Sequence, residues 1–204
     1  DADNVRIGAL TTWDELLRAR ELERPELAAI GECVSGIGDL QVRNRGTIGG
    51  SLAHAHPSSD FPAVTLAFGA SIVLRSDQGD RTVAAREFFL GPFMTAIRAG
   101  ELLTEIVLPL PADGSGSAYA CVEHPASGYA LAGAAALVRP NGSRVGVTGI
   151  GAHAFALENG DQRALEDATV FGDDFAPADY RRHLADVVVQ RALAAATARA
   201  GGVT

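Results

Sequence analysis

The chain has 204 residues, 17 basic and 25 acidic, for a net charge of −8 at neutral pH. That length suits one large domain or two small ones, and 47% apolar with 21% charged residues excludes wholesale disorder. The acidic balance argues against a nucleic-acid or anionic-membrane partner, and because all 17 basic residues are arginine, Schiff-base and P-loop lysine chemistry is excluded.

Residues 5–10 alternate and read as a strand. Thr12 and Glu15 have capping-box spacing, which predicts a helix over 13–22. Pro25 suits the first turn of a second helix that presents Leu27, Ile30 and Val34 on one face and stops near Gly36. From Gly36 to Gly50 the glycines predict irregular chain. Ser59 and Asp60 are expected to cap a short helix ending at Phe68, with Gly69 as its stop. Residues 70–75 and 81–84 read as a hairpin, 86–90 as a short helix and 102–108 as a strand. The prolines at 109 and 111, followed by small polar residues, mark a linker, so a boundary is expected between residues 1–110 and 117–204. Beyond it, 117–123, 130–139 and 144–151 read as strands, with an Asn141-Gly142 hairpin signal between the last two. Residues 179–200 read as a long helix with Tyr180, Leu184, Val187, Val188 and Leu193 on one stripe.

The longest apolar run, 129–138, falls far short of the about 18 residues a membrane helix requires. No basic segment followed by an apolar one opens the chain, so no secretion signal is visible. Cys33 and Cys121 lack metal-ligand spacing and read as reduced cytoplasmic thiols. Residue 1 is Asp and the single methionine is Met94, so the chain is expected to begin inside a longer protein.

The densest unusual segment runs from 42 to 60. Thr47, Ile48, Gly49, Gly50 and Ser51 place two glycines between hydroxyl residues. Glycine lets backbone turn sharply and approach a ligand closely, and successive N–H groups in such a turn form an anion site for phosphate or pyrophosphate. Asp60 is placed to accept from ribose or ribityl hydroxyls. A tight turn with a capping aspartate is the alternative on spacing alone.

The whole string, Arg43-Asn44-Arg45-Gly46-Thr47-Ile48-Gly49-Gly50 and then Ala53-His54-Ala55-His56-Pro57-Ser58-Ser59-Asp60, resembles the FAD-binding medium subunit of the molybdenum hydroxylases. That group includes carbon monoxide dehydrogenase and xanthine dehydrogenase. Stretches at 5–12, 86–89, 101–106, 118–130 and 180–193 follow in family order. The resemblance implies an α+β fold: a partial FAD-binding domain of the vanillyl-alcohol-oxidase (PCMH) type over 1–110, then a small antiparallel sheet with helices over 117–204. It implies that Thr47, Ile48, Gly49, Gly50 and Ser51 lie against the FAD pyrophosphate. Asp60 would contact FAD hydroxyls, and His54 would lie near the flavin or brace its loop. Ser51 stands where the family usually has Asn, and Cys121 where some members have a Lys near the ring. His56 takes no role. Ala96 and Ile97 fall near a ring-contacting apolar position.

The first glycine-rich loop of the family does not precede Asp1, so the first FAD subdomain is expected to be missing and flavin binding weakened. The resemblance further implies electron transfer from [2Fe-2S] clusters through FAD to NAD, quinone or oxygen. The partners would be a small iron–sulfur subunit and a large subunit carrying the molybdenum cofactor. No catalytic acid or base and no metal ligand is expected on this chain. Two alternatives stand beside that reading: a shortened subunit acting as a docking scaffold without flavin, and a hydrolytic metal site at His54, His56 and Asp60.

Overall fold

The computed structural model describes residues 3–159 and 161–201. β1 (Asn4–Gly8) leads into α1 (Trp13–Arg18). The predicted capping box is present: Thr12 Oγ1 accepts from the Glu15 N–H at 3.2 Å, and the Glu15 carboxylate accepts from the Thr12 N–H at 2.7 Å. The helix is shorter than expected, and the chain continues as a 3-10 turn over Arg20–Leu22. A second such turn, Pro25–Leu27, opens onto α2 (Ala28–Ser35), which buries Ile30 and Val34 as expected.

The stretch read as irregular holds two helices instead, α3 (Leu40–Arg45) and α4 (Ile48–His54). Each starts on a side-chain cap. The Asp39 carboxylate accepts from the Val42 N–H at 2.8 Å, and Thr47 Oγ1 accepts from the Gly50 N–H at 3.1 Å. These caps, together with packing, offset the helix cost of the glycines. α5 (Phe61–Phe68) is buried along its whole length and ends at Gly69, where φ is +64°. β2 (Ser71–Ser76) and β3 (Gly79–Ala84) form the expected hairpin. Then come α6 (Ala85–Phe88), a small ribbon of β4 (Phe89–Gly91) and β5 (Met94–Thr95), and β6 (Leu102–Pro109). The first sheet is antiparallel, in the order β1-β6-β2-β3.

The second sheet has the order β10-β9-β8-β7, from β7 (Gly116–Glu123), β8 (Ala130–Arg139), β9 (Gly142–Thr148) and β10 (Phe155–Glu158). α7 (Gln162–Glu166) and α8 (Ala178–Ala200) follow. The apolar run of β8 is explained by burial on both faces. Ala135 and Leu137 join the core that contains α2 and α5, while Ala132, Ala134 and Ala136 join the core under α8. Small residues allow this close layering. A Cβ on Gly146 would lie 1.9 Å from the Ala63 carbonyl oxygen of α5, and one on Gly116 would lie 2.2 Å from that of Ala196 in α8.

α8 departs from its predicted stripe. Leu184 and Val188 are buried, but Tyr180 is 48% exposed and Arg181 is buried in its place. The guanidinium is satisfied by the carbonyls of Ala176 (3.2 Å), Leu131 (3.3 Å) and Gly149 (2.9 Å) and by the Asp173 carboxylate (2.6 Å). Polar contacts also tie α2 to β7. Ser117 Oγ accepts from the Ala29 N–H at 2.9 Å, the Glu32 carboxylate accepts from the Tyr119 N–H at 2.8 Å, and Arg199 pairs with Glu32. These links fix β7, and with it Tyr119, against α2.

Candidate flavin-binding cavity

α4 enters its first turn against the end of β1. The Ile48 N–H donates to the Thr11 carbonyl at 3.0 Å and the Gly49 N–H to the Ala9 carbonyl at 2.8 Å. The Gly50 N–H donates to Thr47 Oγ1 and the Ser51 N–H to the Thr47 carbonyl at 3.1 Å. Every backbone donor from 48 to 51 therefore has a protein partner, in place of the open nest expected from the glycine pair. The physical reason is that this stretch is helical and docked on β1, so its donors are spent on the fold. Ile48 is fully buried, and Gly49 serves close approach: a Cβ there would fall 2.5 Å from the Ala9 Cβ.

Thr47, Gly50, Ser51, His54 and Asp60 converge on one cavity of about 440 Å³, whereas Ile48 and Gly49 lie behind its wall. Sequence reasoning missed eight lining residues, Trp13, Arg45 and Tyr129 among them. Arg45 lies inside the motif string and is the cation of this wall. Its neighbour Arg43 is spent on the Ile37 (3.1 Å) and Gly38 (2.7 Å) carbonyls, whereas Arg45 has no ion-pair partner among the described residues. A basic residue beside a hydroxyl-lined wall was the available signal. Ala96 and Ile97 pack against the first core instead and do not line the cavity.

Asp60 precedes α5, but its carboxylate does not cap the helix. Pro62 offers no N–H, and the Ala63 N–H already bonds the Asp60 carbonyl at 3.1 Å. The carboxylate turns instead to β7, where Asp60 Oδ1 accepts from the Tyr119 hydroxyl and, at 3.7 Å, from the Cys121 thiol. Burial pushes the Asp60 carboxyl up to about 6, against the lowering effect of these two donors, and Glu123 adds like charge. Burial likewise pushes the Cys121 thiol up to about 12 and raises the Tyr119 phenol and the Cys33 thiol, each further opposed in ionising by Asp60. Thr148 Oγ1 anchors the approach to Asp60, donating to the carbonyls of Pro57 (3.1 Å) and Ser59 (2.7 Å). Ser51 and Ser59 hydroxyls meet at 2.9 Å across the cavity's inner wall.

The rim is aromatic. His56 stacks on Tyr129 at 4.4 Å, and Phe93 meets the rings of His54 at 5.1 Å and His56 at 5.3 Å. His56 Nδ1 accepts from the Ser58 N–H at 3.0 Å. Burial, then the nearby His54, lowers the His56 pKa. The cavity thus offers a free guanidinium, three hydroxyls, one buried carboxyl and flat aromatic walls. That donor set suits a phosphate-bearing ligand with hydroxyls and a planar ring.

Comparison with known proteins agrees with this chemistry. A family model described as the FAD binding domain in molybdopterin dehydrogenase matches residues 1–111. The carbon monoxide dehydrogenase medium chain of Hydrogenophaga pseudoflava is 36% identical over 221 residues, covering 98% of this chain and 77% of that one. The glyceraldehyde dehydrogenase medium chain of Sulfolobus acidocaldarius is 40% identical over 143 residues, covering 70% of this chain and 50% of that one. The solved carbon monoxide dehydrogenase of Hydrogenophaga pseudoflava lacking the Mo-pyranopterin moiety superposes with a TM-score of 0.89 at 33% identity, over 98% of this chain and 77% of that chain.

Proposed function

Because the chain belongs to the family of FAD-binding medium subunits of the molybdenum hydroxylases, we propose that it is the electron-transfer subunit of such an oxidoreductase. In this reading a large subunit oxidises the substrate at a molybdenum cofactor and a small subunit relays electrons through [2Fe-2S] clusters. This chain then passes them to NAD, quinone or oxygen. FAD supplies the redox chemistry when bound.

The observation that carries the reading is the single cavity joining Arg45, Thr47, Ser51 and Asp60. Arg45 answers the pyrophosphate charge. The Thr47 and Ser51 hydroxyls donate beside it, in the role first expected of the loop's backbone. Asp60, positioned by Tyr119, takes a ligand hydroxyl. Trp13 and Tyr129 wall the cavity, and His54 sits on its rim. Two free thiols, Cys33 and Cys121, suit the reducing cytoplasm in which we place the subunit.

The test is titration of the purified subunit with FAD, followed by the visible flavin band at about 450 nm. Saturable flavin binding is expected, weaker than a two-loop site would give. Arg45→Ala should weaken FAD binding about tenfold or more without lowering the melting temperature, the scale of one charge-assisted contact. A colourless chain at saturating FAD would favour the docking-scaffold reading instead.

A further inference from the structure

A second cavity, of about 450 Å³, lies at the opposite end of β8 from Tyr129 and shares no residue with the first. Its volume lies within the usual range for small-molecule sites. Its walls are mostly apolar: Phe68, Pro109, Pro111, Leu137 and Pro140. Phe68 and Leu137 belong to the first core, which fixes the floor. The lip is preformed. Its prolines restrict the backbone, the Leu110 N–H donates to the Asp3 carbonyl at 2.9 Å, and the Ser115 N–H donates to the Ala112 carbonyl at 3.1 Å.

One cation lines this cavity, Arg139, and no acidic residue does. Other arginines of the second sheet and α8 are matched: Arg144 by Glu158, Arg181 by Asp173 and Arg199 by Glu32. Arg139 has no ion-pair partner among the described residues, and its Nε is buried without an acceptor. The other buried side-chain atom without a partner among those residues is Ser115 Oγ, on a residue only 3% exposed. The register that pairs Gly116 with Val138 places Ser115 opposite Arg139, so the two unmet groups adjoin at one end of the sheet. Alternation along β8 turns Arg139 to the face of Leu137, the face on which the cavity lies. A buried donor left unmet destabilises the fold, and an acceptor brought in by a ligand removes that penalty.

The walls also select the ligand. Nε and one Nη of a guanidinium present two parallel N–H groups that match the two oxygens of a carboxylate. With a single cation in the lining of a chain of net charge −8, a phosphate dianion would stay half neutralised. The apolar walls call for a compact apolar body attached to the charge.

We propose that this cavity binds a small organic monocarboxylate with a compact apolar body, the carboxylate held by Arg139 and the body by Phe68 and the prolines. The carboxylate reaches Nε through a turn of the Arg139 arm, which no partner holds in place. The site is independent of the flavin reading above.

The test is calorimetric titration of the whole chain with benzoate, and separately with acetate, inorganic phosphate and benzamide. Benzoate should bind saturably at one site, and each of the other three at least tenfold more weakly. Arg139→Gln should weaken benzoate binding tenfold or more without lowering the melting temperature, because the arm has no partner to lose. Arg139→Lys keeps the charge but not the paired N–H edge, and should stay well short of wild type. Ala112→Phe, at an exposed position of the lining, fills the cavity and should abolish binding. Neither Arg139 nor Ala112 lines the first cavity, so FAD affinity should be unchanged in all three variants. Absence of saturable benzoate binding, or equal benzoate affinity in wild type, Arg139→Gln and Ala112→Phe, would overturn the proposal. Acetate, phosphate or benzamide binding as tightly as benzoate would overturn the ligand class. Loss of benzoate binding in the assembled enzyme would also overturn the proposal, by showing the cavity to be covered by a partner subunit.

Discussion

Two walls of the first cavity are built by opposite means. The wall at Thr47–Ser51 is local: a hydroxyl cap, one helical turn and a glycine that lets that turn touch Ala9. The wall at Asp60 is assembled from distant segments, because its carboxyl is set by Tyr119 and Cys121, 59 and 61 residues further along the chain. In the local wall the backbone is spent on the fold, and the ligand is left to side chains. In the assembled wall a carboxyl is held away from any cation and stays partly protonated near neutral pH. Gly49, in the most conspicuous stretch of the motif, is thus architectural, and the ligand contacts we propose fall to the less conspicuous Arg45 and Asp60.

Breaking the local wall at its contact point should have the largest effect. A Cβ at Gly49 would lie 2.5 Å from the Ala9 Cβ and 2.7 Å from its carbonyl oxygen. Gly49→Val should therefore cost roughly 3 kcal/mol or more in denaturant unfolding. Gly50 is exposed, and a Cβ there meets only Thr47 Oγ1 at 2.9 Å, so Gly50→Ala should shift stability by less than about 1 kcal/mol. Equal losses at the two glycines would undo the division of roles between them.

The assembled wall should reveal itself through pH. Asp60 is raised in the folded state from 3.8 to about 6, so the fold favours the protonated carboxyl. Its contribution is most favourable below the ordinary carboxylate range and is lost as pH rises through about 6. Asp60→Asn, which keeps an acceptor for Tyr119 without the charge, should gain about 3 kcal/mol at pH 8 and nothing below about pH 4. Thermal unfolding across that range measures it, and a gain independent of pH would show that burial of the charge is not the cause. Removing the helix cap is the smallest change. Thr47→Val should cost about 1 kcal/mol, and Thr47→Ser should restore most of it.

Elements governed by neighbours a few residues away were legible in sequence. The Thr12–Glu15 box, the hairpin at β2–β3, the Asn141-Gly142 turn and α8 all depend on local caps, turn residues or a repeating apolar period. α3 was hidden because flanking glycines outweighed Asp39, whose cap was a readable signal. The buried Arg181 was not legible, since what makes it tolerable is three carbonyls and a carboxylate supplied by other segments.

The same division runs through the site. By itself the sequence determined the family, the α+β elements and five residues that do reach the cavity, because the motif is contiguous and its spacing is local. Only tertiary packing decided that the donors of 48–51 are consumed by Thr11, Ala9 and Thr47, that Trp13, Arg45 and Tyr129 join the wall, and that Asp60 faces Tyr119 rather than its own helix. The physical reason is that hydrogen bonding and desolvation depend on what lies within a few ångströms in space, and much of that comes from residues far away along the chain.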